Sequence, residues 1–102
     1  MEFIESPLFS KLIDSYMDNE EYIAFQWELA LHPEKGDIIP GSGGLRKLRW
    51  GFQNKGKRGG TRIIYYYKTK AGQIWLLTIY AKNEAENLPF SLLNKIRKEL
   101  EL

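Results

Sequence analysis

At 102 residues, 43% of them hydrophobic, the chain is sized for a single domain that buries upward of about 60% of its unfolded surface and folds without staples. It has no cysteine and one histidine, which excludes disulfides, thiolate metal sites, thiol nucleophiles and any acid–base pair of histidines in one chain. The formal charge of +2 hides a polarity: from Ile38 to Asn83 there is no Asp or Glu, while Arg46, Lys47, Arg49, Lys55, Lys57, Arg58, Arg62, Lys68, Lys70 and Lys82 all fall in that stretch.

Taken in chain order, Phe3 and Ile4 suit a short strand. Ser6 then stands where it caps a helix beginning at Pro7, a position at which proline's missing N–H costs nothing. Leu8, Phe9, Leu12, Ile13 and Tyr16 form the apolar stripe of that helix. Asp18 followed by Glu21 has the spacing of a capping box and begins a second helix with Tyr22, Phe25 and Leu29 on one face, ending before Pro33. The two helices are expected as an antiparallel pair. Glycine and proline make Gly36 to Gly44 a loop, after which the period changes to that of a strand over Leu45 to Trp50. Thr61 to Lys68 and Ile74 to Tyr80 are β-branched and aromatic strands, with Lys70 to Gly72 a tight hairpin between them. Gly51 to Gly60 is a longer basic loop into the second strand. Leu88 to Leu102 reads as an amphipathic helix through Leu92, Leu93, Ile96 and Leu100. The order predicts one α+β domain over residues 1–102: two N-terminal helices, an antiparallel sheet of three to four strands and a C-terminal helix.

The N-terminus, Met-Glu-Phe-Ile-Glu-Ser-Pro, lacks the charged and apolar regions of a signal peptide, and no apolar run reaches membrane-spanning length. A soluble, intracellular protein with no membrane partner is the expectation. Metal-assisted hydrolysis has little to draw on, because His32 is the sole histidine and no carboxylate lies between Asp37 and Glu84. His32 itself sits at a helix end, where a cation suits the helix dipole. Gly41 to Gly44 is followed by no Gly-Lys-Ser or Gly-Lys-Thr and is explained by a turn.

The cations point elsewhere. A sheet-forming middle that is basic and free of acids presents a surface for a polyanion, and phosphate backbones are the commonest such partner. The period of two places Lys47 and Arg49 on one face and Arg46 on the other. The plain alternative is that these cations solvate the open side of a sheet, as Lys68 and Lys70 near the hairpin do, or a basic loop, for Lys55, Lys57 and Arg58. The absence of interleaved acids favours the binding reading. Tyr65, Tyr66, Tyr67, Tyr80, Trp50 and Trp75 offer faces for base stacking, although alternation sends about half of them to the core.

Three segments carry a resemblance: Gly36-Asp37-Ile38-Ile39-Pro40-Gly41-Ser42-Gly43-Gly44-Leu45-Arg46-Lys47-Leu48-Arg49, Gly56-Lys57-Arg58-Gly59-Gly60-Thr61-Arg62-Ile63-Ile64-Tyr65-Tyr66, and Leu76-Leu77-Thr78-Ile79-Tyr80-Ala81-Lys82-Asn83-Glu84. Together they resemble the HigB branch of the RelE/ParE toxin superfamily, over nearly the whole chain. The resemblance implies a compact RelE-like fold and a cytoplasmic toxin of a type II toxin-antitoxin system, paired with a helix-turn-helix, HigA-like antitoxin. It implies a ribosome-dependent mRNA interferase, an endoribonuclease with neither metal nor cofactor, in which the ribose 2′-hydroxyl attacks the adjacent phosphate to leave a 2′,3′-cyclic phosphate. The implied catalytic residues are Arg62 on the phosphorane oxygens, Lys82 on the departing 5′-oxygen, Tyr80 orienting it or stacking on a base, and Lys55 and Lys57 from the basic loop. Arg46, Lys47, Arg49, Arg58 and Lys68 are implied for RNA or ribosome binding. The histidine, glutamate and tyrosine acid–base set of some relatives has no full counterpart, and Glu84 is expected as a salt-bridge partner of Lys82 in preference to a base. Since the superfamily also contains ParE-type gyrase inhibitors, a gyrase inhibitor or a noncatalytic RNA-binding module stands as the alternative.

Overall fold

Two side chains start the first two helices. The Phe9 N–H donates to Ser6 Oγ (3.0 Å), capping α1 (Pro7–Leu12), and the Glu21 N–H donates to Asp18 Oδ1 (2.8 Å), capping α2 (Asn19–Leu31). A single 3₁₀ turn, Ile13–Ser15, continues α1, and α2 stops at the His32 cap before Pro33. Phe9, Ile13, Phe25 and Leu29 are buried, whereas Leu8 is exposed. The computed structural model describes residues 1–51, 60–82, 84 and 88–99.

Among the described residues five strands form one sheet in the order β1-β5-β4-β3-β2: β1 (Glu2–Glu5), β2 (Asp37–Ile38), β3 (Arg46–Trp50), β4 (Thr61–Lys68) and β5 (Gln73–Ala81). The sheet is therefore larger than the three to four antiparallel strands expected, and it is mixed, because β1 runs parallel to β5. The Gly36 to Gly44 loop is likewise interrupted, since Asp37 and Ile38 pair with Lys47 and Arg46. The tight turn that follows is held by Ser42, whose Oγ donates to Ile39 O (2.6 Å) and accepts from the Leu45 N–H (3.0 Å). Between Ile64 and Tyr65 the register of β4 and β5 shifts: Ile64 faces Thr78 but Tyr65 faces Leu76, leaving Leu77 as the extra residue of a β-bulge. Ser6 tethers this irregular point, its N–H bonding Leu76 O (2.9 Å) and its Oγ donating to Leu77 O (2.7 Å).

The last helix, α3 (Phe90–Glu99), starts two residues later than expected, directly after Pro89, whose carbonyl accepts from the Leu92 and Leu93 N–H groups. Its expected continuation from Leu100 to Leu102 lies outside the described residues. Helices cover the sheet on both sides. On one, Phe9, Phe25 and Leu29 pack with Leu48, Ile63, Tyr65 and Ile79; on the other, Leu93 and Ile96 of α3 pack with Leu45, Ile64, Leu77 and Tyr80. Among the described residues no helix is long and apolar enough to cross a membrane.

Candidate nucleic-acid interface

Register across β3, β4 and β5 stacks side chains into rungs. On the α3 side, Arg49 faces Arg62, which faces Tyr80; the next rung is Lys47, Ile64 and Thr78. Strand alternation puts Leu48, Ile63 and Ile79 on the opposite side, with the core under α1 and α2. Past the end of β5 the Lys82 N–H donates to Gly60 O (3.3 Å), which extends the ladder one step and carries the exposed Lys82 to the same side as Tyr80.

The Arg49–Arg62–Tyr80 rung is unusual electrostatically. Like charges directly opposite on neighbouring strands destabilise a sheet, and here one of the two guanidinium groups belongs to a residue only 7% exposed. An anion placed between two such forks converts the repulsion into a clamp, and charge-assisted hydrogen bonds to phosphate oxygens are the natural form of it. Tyr80 is 6% exposed, and its buried hydroxyl finds no hydrogen-bond partner among the described residues. Burial pushes the phenol up from its ordinary value while the nearby Arg62 charge pulls it down; the net direction is upward. At neutral pH Tyr80 is therefore a hydroxyl able to donate, and no proton acceptor of the phenolate kind.

Not every expected site residue joins this rung. Arg46 projects to the α1/α2 side, where its Nη1 donates to Glu34 O (3.2 Å) and Gly36 O (2.8 Å) and ties down the connection from α2 to β2. Its cross-strand neighbour Tyr65 does the same work, accepting from the Gly36 N–H (2.9 Å) and donating to Pro33 O (2.8 Å). Lys68 shares the cationic face but lies six residues along β4 from Arg62, roughly 20 Å at the rise of a strand. Lys55, Lys57 and Arg58 lie outside the described residues. Of the candidate stacking aromatics, Tyr65 is fully buried and Trp50 packs edge-on against Phe25 (5.4 Å) while donating to Glu21 Oε2 (3.1 Å). Tyr66, Trp75 and Tyr80 are on the α3 side.

Glu84 is not the ion-pair partner of Lys82. Its Oε1 accepts from the Ala81 N–H (2.8 Å), closing the turn after β5, and from the Tyr16 hydroxyl. Those two donors hold its carboxyl below the usual glutamate range, the tyrosine most of all, and burial together with Glu84 pushes the Tyr16 phenol up to about 12. This pair joins residues 68 positions apart, and no local pattern announces it. A second feature that sequence alone does not show is a cavity of about 160 Å³ beside the rung, under α3, lined by Lys47, Ile64 and Tyr80 and by Ile39, Leu88 and Leu93. A larger hollow of about 610 Å³ lies at the end of α2. It carries Glu28, Glu34 and Lys35, with a Lys35–Glu28 ion pair at 2.8 Å, and has none of the rung's chemistry. Among the described residues no three metal-ligating side chains come together.

No family model matches the chain. Among solved structures, an arginine-to-alanine double mutant of the E. coli toxin RelE in the free state is similar, with a TM-score of 0.64 at 11% sequence identity, over 99% of this chain and 97% of that one. The fold is RelE-like. In this RelE-like fold the cationic rung lies across the three central strands at the end from which the connection between β3 and β4 departs. The helix α3 overhangs the neighbouring rung.

Proposed function

We propose that this chain is the toxin of a type II toxin-antitoxin system, of the HigB branch, and that it cleaves mRNA on translating ribosomes. The observation that carries the reading is Arg49 opposite Arg62, flanked by Tyr80 and Lys82 on one face. Its likeness in fold to a RelE toxin supports it. In the reaction, the ribose 2′-oxygen attacks the adjacent phosphorus, and the bond to the 5′-oxygen of the next nucleotide breaks. The pentacoordinate phosphorane gains negative charge on its non-bridging oxygens. Arg62, held in a mostly buried position, binds those oxygens more tightly in the transition state than in the ground state, where fixed donors in a low-dielectric site are worth most. Tyr80 donates a hydrogen bond to the same phosphate, and Lys82 gives a proton to the departing 5′-oxygen. A lysine of the basic connection, Lys55 or Lys57, accepts the proton of the 2′-hydroxyl, a role closed to arginine. No metal or cofactor is called on. Lys47, Arg49, Arg58 and Lys68 hold the RNA or the ribosome, and a helix-turn-helix, HigA-like antitoxin neutralises the toxin in the cytoplasm.

Primer extension on a defined mRNA, incubated with the purified protein with and without translating ribosomes, tests this reading. Cuts are expected only with ribosomes. Arg62→Ala is expected to lower the cleavage rate by about 10²-fold or more, the usual loss on removing one transition-state donor, and Lys82→Ala to lower it while ribosome binding only weakens. Intact mRNA in every lane, or normal cutting by both variants, sinks the assignment.

A further inference from the structure

We propose that Tyr16 is a positioning residue for the cleavage reaction, fixing through Glu84 the turn that presents Lys82; this rests on the RNA-cleaving function above. Strand alternation shows why that turn needs a holder. The Lys82 N–H faces β4 and donates to Gly60 O (3.3 Å), so the Ala81 N–H points to the other edge of β5. On that edge the register with β1 ends at Glu5 and Leu76, five residues short of Ala81. The Ala81 N–H donates instead to Glu84 Oε1 (2.8 Å), and the Glu84 N–H donates back to Ala81 O (3.0 Å). Lys82 therefore stands inside a turn that Glu84 closes with both its backbone and its side chain.

Glu84 is exposed, and the Tyr16 hydroxyl ties its carboxylate to the helical layer. Tyr16 is itself well placed to act as an anchor. Its N–H and that of the buried Met17 both donate to Ile13 O (3.0 Å each), and its ring packs half-buried against the core under α1 and α2. A chain of contacts thus runs from core to Tyr16, to Glu84, to the turn and so to Lys82, gripping the turn from behind the face on which Lys82 and Tyr80 stand. The same bond turns a carboxylate away from Lys82. Released from Tyr16, Glu84 is two residues from the ammonium and competes with RNA phosphate for it. Both effects bear on proton delivery to the 5′-oxygen, since a misplacement on the order of 1 Å in a reacting group can cost about 10²-fold in rate.

The test is single-turnover cleavage of a defined mRNA by the full chain over a range of ribosome concentrations, read by primer extension. Tyr16→Phe keeps the packed ring and removes only the hydroxyl. It is expected to lower the rate constant at saturating ribosomes about tenfold while the half-saturating concentration stays within about twofold, the mark of a group that acts on the chemical step and not on binding. Glu84→Ala should do the same. Glu84→Gln should cut within about threefold of the unmodified protein, because an amide oxygen accepts from the same two donors. In a Lys82→Ala background Tyr16→Phe should add no further loss, since residues that act through one another are not additive. Normal cutting by Tyr16→Phe, or losses that multiply with that of Lys82→Ala, overturns the latch and leaves the cleavage reading standing. Amide hydrogen exchange decides the latch without any cutting. Protection of the Lys82 N–H about tenfold lower in Tyr16→Phe, with the Ile64 N–H unchanged, upholds it, and equal protection overturns it. Intact mRNA with the unmodified protein, alongside that loss of protection, sinks the cleavage reading alone.

Discussion

Arg46 and Arg49 stand three positions apart on one strand and serve opposite ends, because a period of two sends them to different faces of the sheet. Arg46 holds two backbone carbonyls of the 33–36 connection, so Arg46→Ala is expected to cost about 1–3 kcal/mol of stability, in the range for lost hydrogen bonds to a charged group, with RNA affinity unchanged. Arg49→Ala should do the reverse. Removing one of two facing guanidinium groups leaves stability equal or slightly higher and weakens RNA binding, and urea titration set beside RNA binding separates the two variants. Glu84 supplies a pH-dependent contact. A carboxylate whose folded pKa is depressed contributes stability above its unfolded value and loses it as pH falls through the folded one. Tyr16→Phe removes the largest cause of the depression, so the Glu84 carboxyl should titrate closer to an ordinary glutamate, as read from its carboxyl carbon resonance. That Lys47 and Arg49 share a face was legible from spacing. Which face lay under α1 and α2 was not, since it depends on packing between segments far apart in the chain.

The elements that the residues announce locally are the helix starts and the long strands. Ser6-Pro7 and Asp18 to Glu21 carry their caps within four residues, and β4 begins and ends at Thr61 and Lys68 as its composition predicts. The remaining features are non-local: the parallel partner of β1, the two-residue β2, and the bulge at Leu77, none of which has a nearby sequence signal. The entry to β4 depends on one glycine. Gly60 has φ +68°, and a Cβ there would lie 2.6 Å from the Trp50 carbonyl oxygen, a contact that real side chains do not make. Gly60→Ala is expected to cost about 2 kcal/mol or more, from left-handed backbone strain plus that clash. A lower urea midpoint at unchanged m-value is the signature. The same substitution should also slow mRNA cutting, because Gly60 sets the last rung on which Lys82 hangs.

At the scale of the whole molecule the charge is sorted by region, not balanced. Nine of the thirteen acidic residues lie in positions 1–37 against only Lys11 and Lys35, while ten cations occupy the acid-free stretch from Ile38 to Asn83. The radius of gyration, 12.8 Å, is that of an ordinary domain of this size, so the two regions are close together and the field between them is steep. RNA binding should therefore fall with salt, and each phosphate contact removed, as by Arg49→Ala, should flatten the slope of log K against log salt by about 0.7. A slope unchanged by that variant would remove Arg49 from the interface. The pairing of β1 with β5 has a consequence in time. Strand β1, made before the other four, has no neighbour in the sheet until residues 73–81 have been made, and the Arg62–Tyr80 rung waits for the same segment. A chain growing at roughly 5–20 residues per second thus spends several seconds with its cations present but not yet arrayed, so the cationic rung is among the last features of the molecule to form.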